Sequence, residues 1–152
     1  MITLARADFR DPALATFLSA HLADMEPTAP PESRHALDLG ALQRDGVRLW
    51  TAHADDELVG TVALADLAPG HAELKSMRTA PTHRSQGVGS RLLAHALEDA
   101  RRRGTTRVSL ETGSSDFFAA ARALYRRAGF IDTAPFGEYR EDPHSVYLTT
   151  SL

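Results

Sequence analysis

The stretch that most limits the fold runs from residue 71 to residue 104, HAELKSMRTAPTHRSQGVGSRLLAHALEDARRRG. Its opening, HAELKSMRT, alternates apolar and polar side chains as a half-buried strand does. Its end, RLLAHALEDARRRG at 91–104, predicts a helix with Leu92, Leu93, Ala96, Leu97 and Ala100 on one face and Gly104 as the stop. Between the two, RSQGVGSR sets a pair of glycines among small polar and basic residues. A strand that turns through glycines into a long helix leaves N–H groups free at the helix start, where the helix dipole favours an anion. A dinucleotide fingerprint would need a third glycine where Leu92 stands, and a Walker A loop would need a lysine after its last glycine; the only lysine is Lys75. On its own residues the junction reads either as an ordinary turn or as a phosphate cradle flanked by Arg84 and Arg91.

The flanking segments supply the rest of a sheet. Residues 2–7 alternate as a first strand, and Asp11–Pro12 opens an amphipathic helix through Leu14, Phe17, Leu18, Leu22 and Met25. PTAPP breaks that helix, and Ser33 is expected to cap a shorter one ending near Asp45–Gly46. VRLWTAHA and ELVGTVALADL flank Asp55–Asp56, a hairpin turn, and Pro69–Gly70 turns into the strand at 71–79. After the long helix come a strand at 106–112, a helix at 116–128 capped by Asp116, a strand opening at Phe130–Ile131 and a last strand at 145–152. This order predicts one α/β (α+β mixed) domain over residues 1–152, with a central mixed, mostly antiparallel sheet flanked by about four helices.

Composition removes several functions. The 152 residues contain no cysteine, which excludes disulfides, thiolate metal sites and a cysteine nucleophile. A net charge of −3 argues against a general nucleic-acid field, and the seven histidines show no metal-ligand spacing, so no metal is expected. No run approaches the roughly 20 apolar residues of a membrane span. MITLARADFRD carries an acid and no long apolar run, so a cytoplasmic protein is expected.

Two motifs stand at matched places in consecutive strand–helix units: Arg84-x-x-Gly87-x-Gly89, and Leu124-Tyr125-x-x-x-Gly129-Phe130 within ALYRRAGF. Together they resemble the GNAT acyltransferase superfamily in its small stand-alone bacterial form. The likeness is firm over residues 73–130 and looser over the whole element order. It implies that Arg84, Ser85, Gln86, Gly87, Val88, Gly89 and Ser90 bind the pyrophosphate of acetyl-CoA through main-chain N–H groups. It implies too that Met77, Arg78 and Thr79 pair with the pantetheine arm where two strands splay apart. A branched side chain at Gly89 is then expected to fill the phosphate's space.

The same resemblance implies Tyr125 as general acid toward the leaving sulfur; the plainer reading packs its ring beside Phe130. Glu73 is the candidate base, because some members of the resembled family carry a glutamate four residues before the position matching Met77. Alternation would put residues 73, 75, 77 and 79 on one strand face, and a solvated strand glutamate or a water relay is the alternative. Phe118 stands where many relatives carry an asparagine that holds the CoA arm. The resemblance also implies that the first two helices and their connection border the acceptor, with Glu26, Glu32, Arg34 and His35 as polar candidates and FGEYREDPHS as a covering loop. The expected function is acetyl transfer from acetyl-CoA to a primary amine of a small molecule or peptide by direct attack; the alternative is an inert acyl-CoA-binding module. Expected partners are acetyl-CoA and an amine acceptor, without nucleic acid or membrane, and homodimerisation is allowed but not required.

Overall fold

In the computed structural model, which describes residues 1–152, every strand joins one seven-stranded sheet. In chain order the elements are β1 Ile2–Arg6, α1 Pro12–Met25, α2 Leu39–Leu42, β2 Val47–Ala54, β3 Glu57–Ala68 and β4 His71–Thr79. They continue with α3 Val88–Arg102, β5 Arg107–Gly113, α4 Ala119–Arg127, β6 Ile131–Asp132 and β7 Ser145–Ser151. The strand order is β1-β2-β3-β4-β5-β7-β6, and all neighbours are antiparallel except β4 and β5. A parallel pair needs a crossover, and α3 supplies it.

Local chemistry explains most boundaries. Asp11 caps α1 by accepting from the Ala13 N–H at 2.9 Å, with Pro12 in the first turn. Asp55 and Asp56 both adopt positive φ, +48° and +70°, the geometry a two-residue hairpin needs between twisted strands. Gly104 and Gly129, at φ +81° and +102°, end α3 and α4 as C′ glycines do.

Two helix starts differ from expectation. Ser33 closes a short 3₁₀ turn, Pro31–Ser33, and caps nothing; α2 starts later, where Asp38 accepts from the Ala41 N–H at 2.8 Å. Asp116 opens a 3₁₀ turn with no side-chain cap, and the α-helix begins only at Ala119. Prolines 27, 30 and 31 break the first connection into short turns, because each removes a donor and restricts the residue before it.

Each sheet face has its own core. Leu14, Leu18, Leu42, Leu49 and Ala63 join α1 and α2 to one face. Trp50, Val62, Leu64, Leu74, Leu92, Leu93, Tyr125 and Phe130 join α3 and α4 to the other. Adjacent residues Leu49 and Trp50 thus point to opposite layers, as the pleat requires. The larger core fixes the start of α3, since Val88 and Leu92 are at most 1% exposed.

Candidate active site

Backbone pairing opens the site. β4 and β5 pair only from His71–Arg107 to Leu74–Leu110. Beyond that, β4 continues to Thr79 and β5 to Gly113 without bonding each other, so the strands splay. Met77, Arg78 and Thr79 lie on this free stretch, with Arg78 and Thr79 paired on their other side to Thr61 and Gly60 of β3. A cleft fills the gap. Glu73, Lys75 and Met77 line it from β4, and Glu111, Thr112 and Gly113 from β5. Phe118, Ala121 and Tyr125 close one side.

A bulge changes which side chains share a face. Ser76 takes φ +53°, its carbonyl accepts from the Thr61 hydroxyl at 2.8 Å, and the β3–β4 register slips between Thr61 and Ala63. One extra residue in β4 flips the alternation. Met77 therefore packs against the α3-side core with Ala72 and Leu74, whereas Arg78 reaches Asp24 of α1 at 2.6 Å on the opposite face. The expected common face of residues 73, 75, 77 and 79 does not exist: Glu73 and Lys75 face the α1 layer, and Met77 and Thr79 lie near Gly89 of α3.

The glycine loop is an open cradle. Ser85 and Gly87 adopt left-handed φ of +62° and +82°, and Gly87 caps α3 without any side-chain hydrogen bond. The first amide of this helix to find a carbonyl is that of Arg91, which donates to Gly87 at 3.1 Å; the amides of residues 84–90 have no acceptor in the protein. Arg84, Ser85, Gln86, Gly87 and Ser90 are exposed, whereas the Val88 side chain is core and offers only its backbone. The two glycines differ. A β-carbon on Gly87 would meet nothing within 4 Å, but one on Gly89 would stand 3.2 Å from Leu124 and 3.5 Å from Thr79. The expectation that a side chain at Gly89 fills phosphate space is therefore corrected: Gly89 faces the protein, and Gly87 faces outward.

Tyr125 packs beside Phe130 and also reaches the cleft; its ring is 5% exposed and lies 5.9 Å from that of Phe130. Burial, with the Glu111 charge adding, holds its phenol well above the ordinary tyrosine range, so it keeps its proton. Glu73 is 6% exposed, and its Oε2 accepts from the Tyr139 hydroxyl at 2.5 Å and from Lys75 Nζ at 3.2 Å. Lys75 Nζ also donates to Tyr139 at 3.0 Å, which closes a triangle and pins the loop at 136–145 over this side.

Glu111 escaped the sequence reading. It occupies an ordinary alternating position in β5, with no motif to mark it. It lines the cleft and accepts from the Ser145 hydroxyl at 2.7 Å. Burial raises its proton affinity above the usual carboxylate range, while Ser145, His35 and Lys75 partly offset that rise.

The acceptor-side candidates divide. Arg34 and His35 enter the cleft, joined by His21 of α1. Glu32 does not line it; it is exposed and borders an adjoining groove with Glu138, Tyr139 and Asp142, which shares His35, Glu73 and Lys75 with the cleft. His35 stands edge-on to Tyr139, 4.9 Å between ring centroids. His21 is held neutral, its pKa lowered to about 4 by burial and by the nearby Arg78 cation. Phe118 forms part of the cleft wall and packs so closely on Gly113 that a β-carbon there would run into its ring.

Comparison with known proteins adds an independent line. Residues 14–130 match the model of the Acetyltransferase (GNAT) family. The uncharacterized N-acetyltransferase YedL of Escherichia coli is 42% identical over 152 residues, covering 100% of this chain and 96% of its own. The uncharacterized N-acetyltransferase YsnE of Bacillus subtilis is 44% identical over 139 residues, 91% of this chain and 92% of its own. Among solved structures, the PaiA N-acetyltransferase of Thermoplasma acidophilum in complex with coenzyme A superposes with a TM-score of 0.76 at 15% identity, over 100% of this chain and 99% of that one. At that identity the likeness speaks to the fold.

Proposed function

The chain belongs to the acetyltransferase (GNAT) family and is an N-acetyltransferase enzyme, and from that premise we propose that it moves the acetyl group of acetyl-CoA directly to a primary amine of a small molecule or peptide. The carrying observation is one cleft, opened by the β4–β5 splay, lined by a buried phenol that keeps its proton and a carboxyl with raised proton affinity.

The residues present fit an acyl-CoA donor. The unpartnered amides of residues 84–90, presented by the left-handed Gly87 at the start of α3, suit a pyrophosphate. Met77, Arg78 and Thr79 offer a free strand edge of the kind that binds an extended arm by main-chain hydrogen bonds. When bound, the thioester supplies an activated acyl carbon and a thiol leaving group.

The chain's own work is then proton handling and placement. An attacking amine must lose a proton, and we assign that proton to Glu111, whose raised affinity brings it closer to neutrality than an ordinary carboxylate. The sulfur needs a proton as it leaves, and Tyr125 is the donor. Glu73, tied to both Lys75 and Tyr139, is assigned to holding the wall and its covering loop rather than to taking the proton. Glu32, outside the cleft, is assigned no contact with the reacting groups.

Thiol release from acetyl-CoA with a panel of primary amines tests this reading. Wild-type protein should release thiol with at least one amine, Tyr125→Phe and Glu111→Gln should each lower turnover about 10²-fold, and acetyl-CoA affinity should stay nearly intact in both. Tight acetyl-CoA binding without thiol release from any amine would instead mark an inert acyl-CoA-binding module.

A further inference from the structure

The cleft contains one cation without a partner. Lys75 is engaged by Glu73 and Tyr139. Arg78, on the opposite side of the bulge, is paired with Asp24. Arg34 stands on the extended backbone that leaves the Pro31–Ser33 turn; its main-chain N–H donates to Pro31, but its side chain makes no hydrogen bond and no ion pair. Its Nε is fully buried and has no acceptor. A buried donor on a charged, forked group is costly to leave unmade, and a planar oxyanion is the group that satisfies it, often through two parallel bonds.

We propose that Arg34 binds a carboxylate on the acceptor, so that the acceptor class is a small amine that also carries a carboxylate. This rests on the acetyltransferase reading and deepens it by naming the substrate's second group. The position suits it: Arg34 lines the same cleft as Glu111 and Tyr125. None of the cradle residues 84–90 lines that cleft, so Arg34 is not an arm of the phosphate site.

The neighbours fix the sign and size of the charge. His21, at a pKa of about 4, brings no second positive charge near neutrality. Glu73 and Glu111 face the same space. Lys75 and Glu73 cancel as a pair, which leaves the Arg34 guanidinium as the one free arginine or lysine charge, beside the Glu111 carboxyl. A single negative charge is matched by Arg34, and the second charge of a dianionic phosphate ester finds no further free guanidinium or ammonium. Glu111 receives the acceptor's amine end and Arg34 its acid end. A purely cationic amine, such as a polyamine, would leave Arg34 orphaned.

Titration calorimetry with the α-amino acids, β-alanine and γ-aminobutyrate, each beside its own carboxamide, tests the assignment without requiring turnover. At least one acid should bind the wild-type protein about tenfold or more tighter than its amide. Arg34→Gln should level the two, and Arg34→Lys should restore part of the preference. Binding by none of the acids, equal binding of acids and amides, or a preference that survives Arg34→Gln overturns the proposal, as does tighter Arg34-dependent binding of O-phosphoethanolamine. Thiol-release assays on the same compounds separate the two readings. Acids that bind through Arg34 but are never acetylated sink the enzymatic reading and leave the carboxylate site. Acetylation that ignores the acid group does the reverse.

Discussion

The cradle at Arg84–Ser90 and the acceptor side of the cleft are built from different materials. The cradle presents main-chain amides on an exposed loop, where water can serve each N–H until a ligand arrives. Across the cleft, side chains from α1, the proline-rich connection and β5 converge, and three carry a cost. Arg34 has an orphaned buried Nε, Glu111 ionises against burial, and His21 is kept neutral. The difference teaches that one region can be ready for its ligand at little expense to the fold, whereas the other is poised by groups the fold would be more stable without.

The sharpest way to break this contrast lies at Gly87. If the cradle works through backbone geometry, a residue that resists φ +82° should spoil it without touching any side chain. Gly87→Val should weaken acetyl-CoA binding by about 2 kcal/mol, roughly 30-fold, as read by calorimetry. The added carbons meet open space, so the core is spared. Gly89→Ala is the counterpart: its methyl presses on Leu124, and the loss should appear in thermal stability more than in affinity. Unchanged affinity in Gly87→Val would show that the amides of this loop do not grip the donor.

His21 tests the other region. Its folded pKa of about 4 lies below the ordinary 6.5, so the unfolded chain takes up a proton that the fold refuses. The sign follows from linkage: stability is fully present above the unfolded value and is lost as pH falls from 6.5 toward about 4. Allowing for partial solvent access, the loss is on the order of 2 kcal/mol. Urea midpoints measured near pH 7 and near pH 5 should therefore diverge in the wild type and draw together in His21→Gln. Parallel behaviour of the two proteins would remove His21 from the groups that the cleft holds under strain.

The same contrast explains what the sequence made legible. Strand alternation located β2, β3 and β4 to within a residue, because backbone demands leave their trace in residue types. The glycines marked the strand-to-helix junction, but α3 starts at Val88, three residues before the helix at 91–104 that the apolar spacing predicts. The acceptor side hides its chemistry. Glu111 looks like any alternating strand residue, and only the fold buries it beside Tyr125. The bulge at Ser76 has no residue signature, since serine rather than glycine takes the positive φ, yet it decides which face Met77 and Arg78 occupy. Arg34 and His35 were legible as polar residues on an expected border, but that they line the cleft while Glu32 lines only the adjoining groove depends on a turn that Pro30 and Pro31 set and no periodicity announces.

The smallest expected effect is also the most discriminating. A carboxyl whose folded pKa is raised gives the fold an advantage in proton binding, so the penalty it imposes is absent at low pH and grows as pH rises through the unfolded value and on to the folded one. Glu111→Gln removes the titration but keeps a carbonyl oxygen to accept from Ser145, which now donates at 2.7 Å. The variant should therefore melt at a higher temperature than the wild type near pH 7, and the two should converge near pH 3, below the ordinary carboxylate range. It should do so while losing most of its turnover, because a group poised to take a proton is one that the fold ionises reluctantly. A Glu111→Gln protein that is less stable near neutrality would mean that the carboxylate props up β5 and β7 instead. The acceptor side would then resemble the cradle, a region whose fold and function make the same demands.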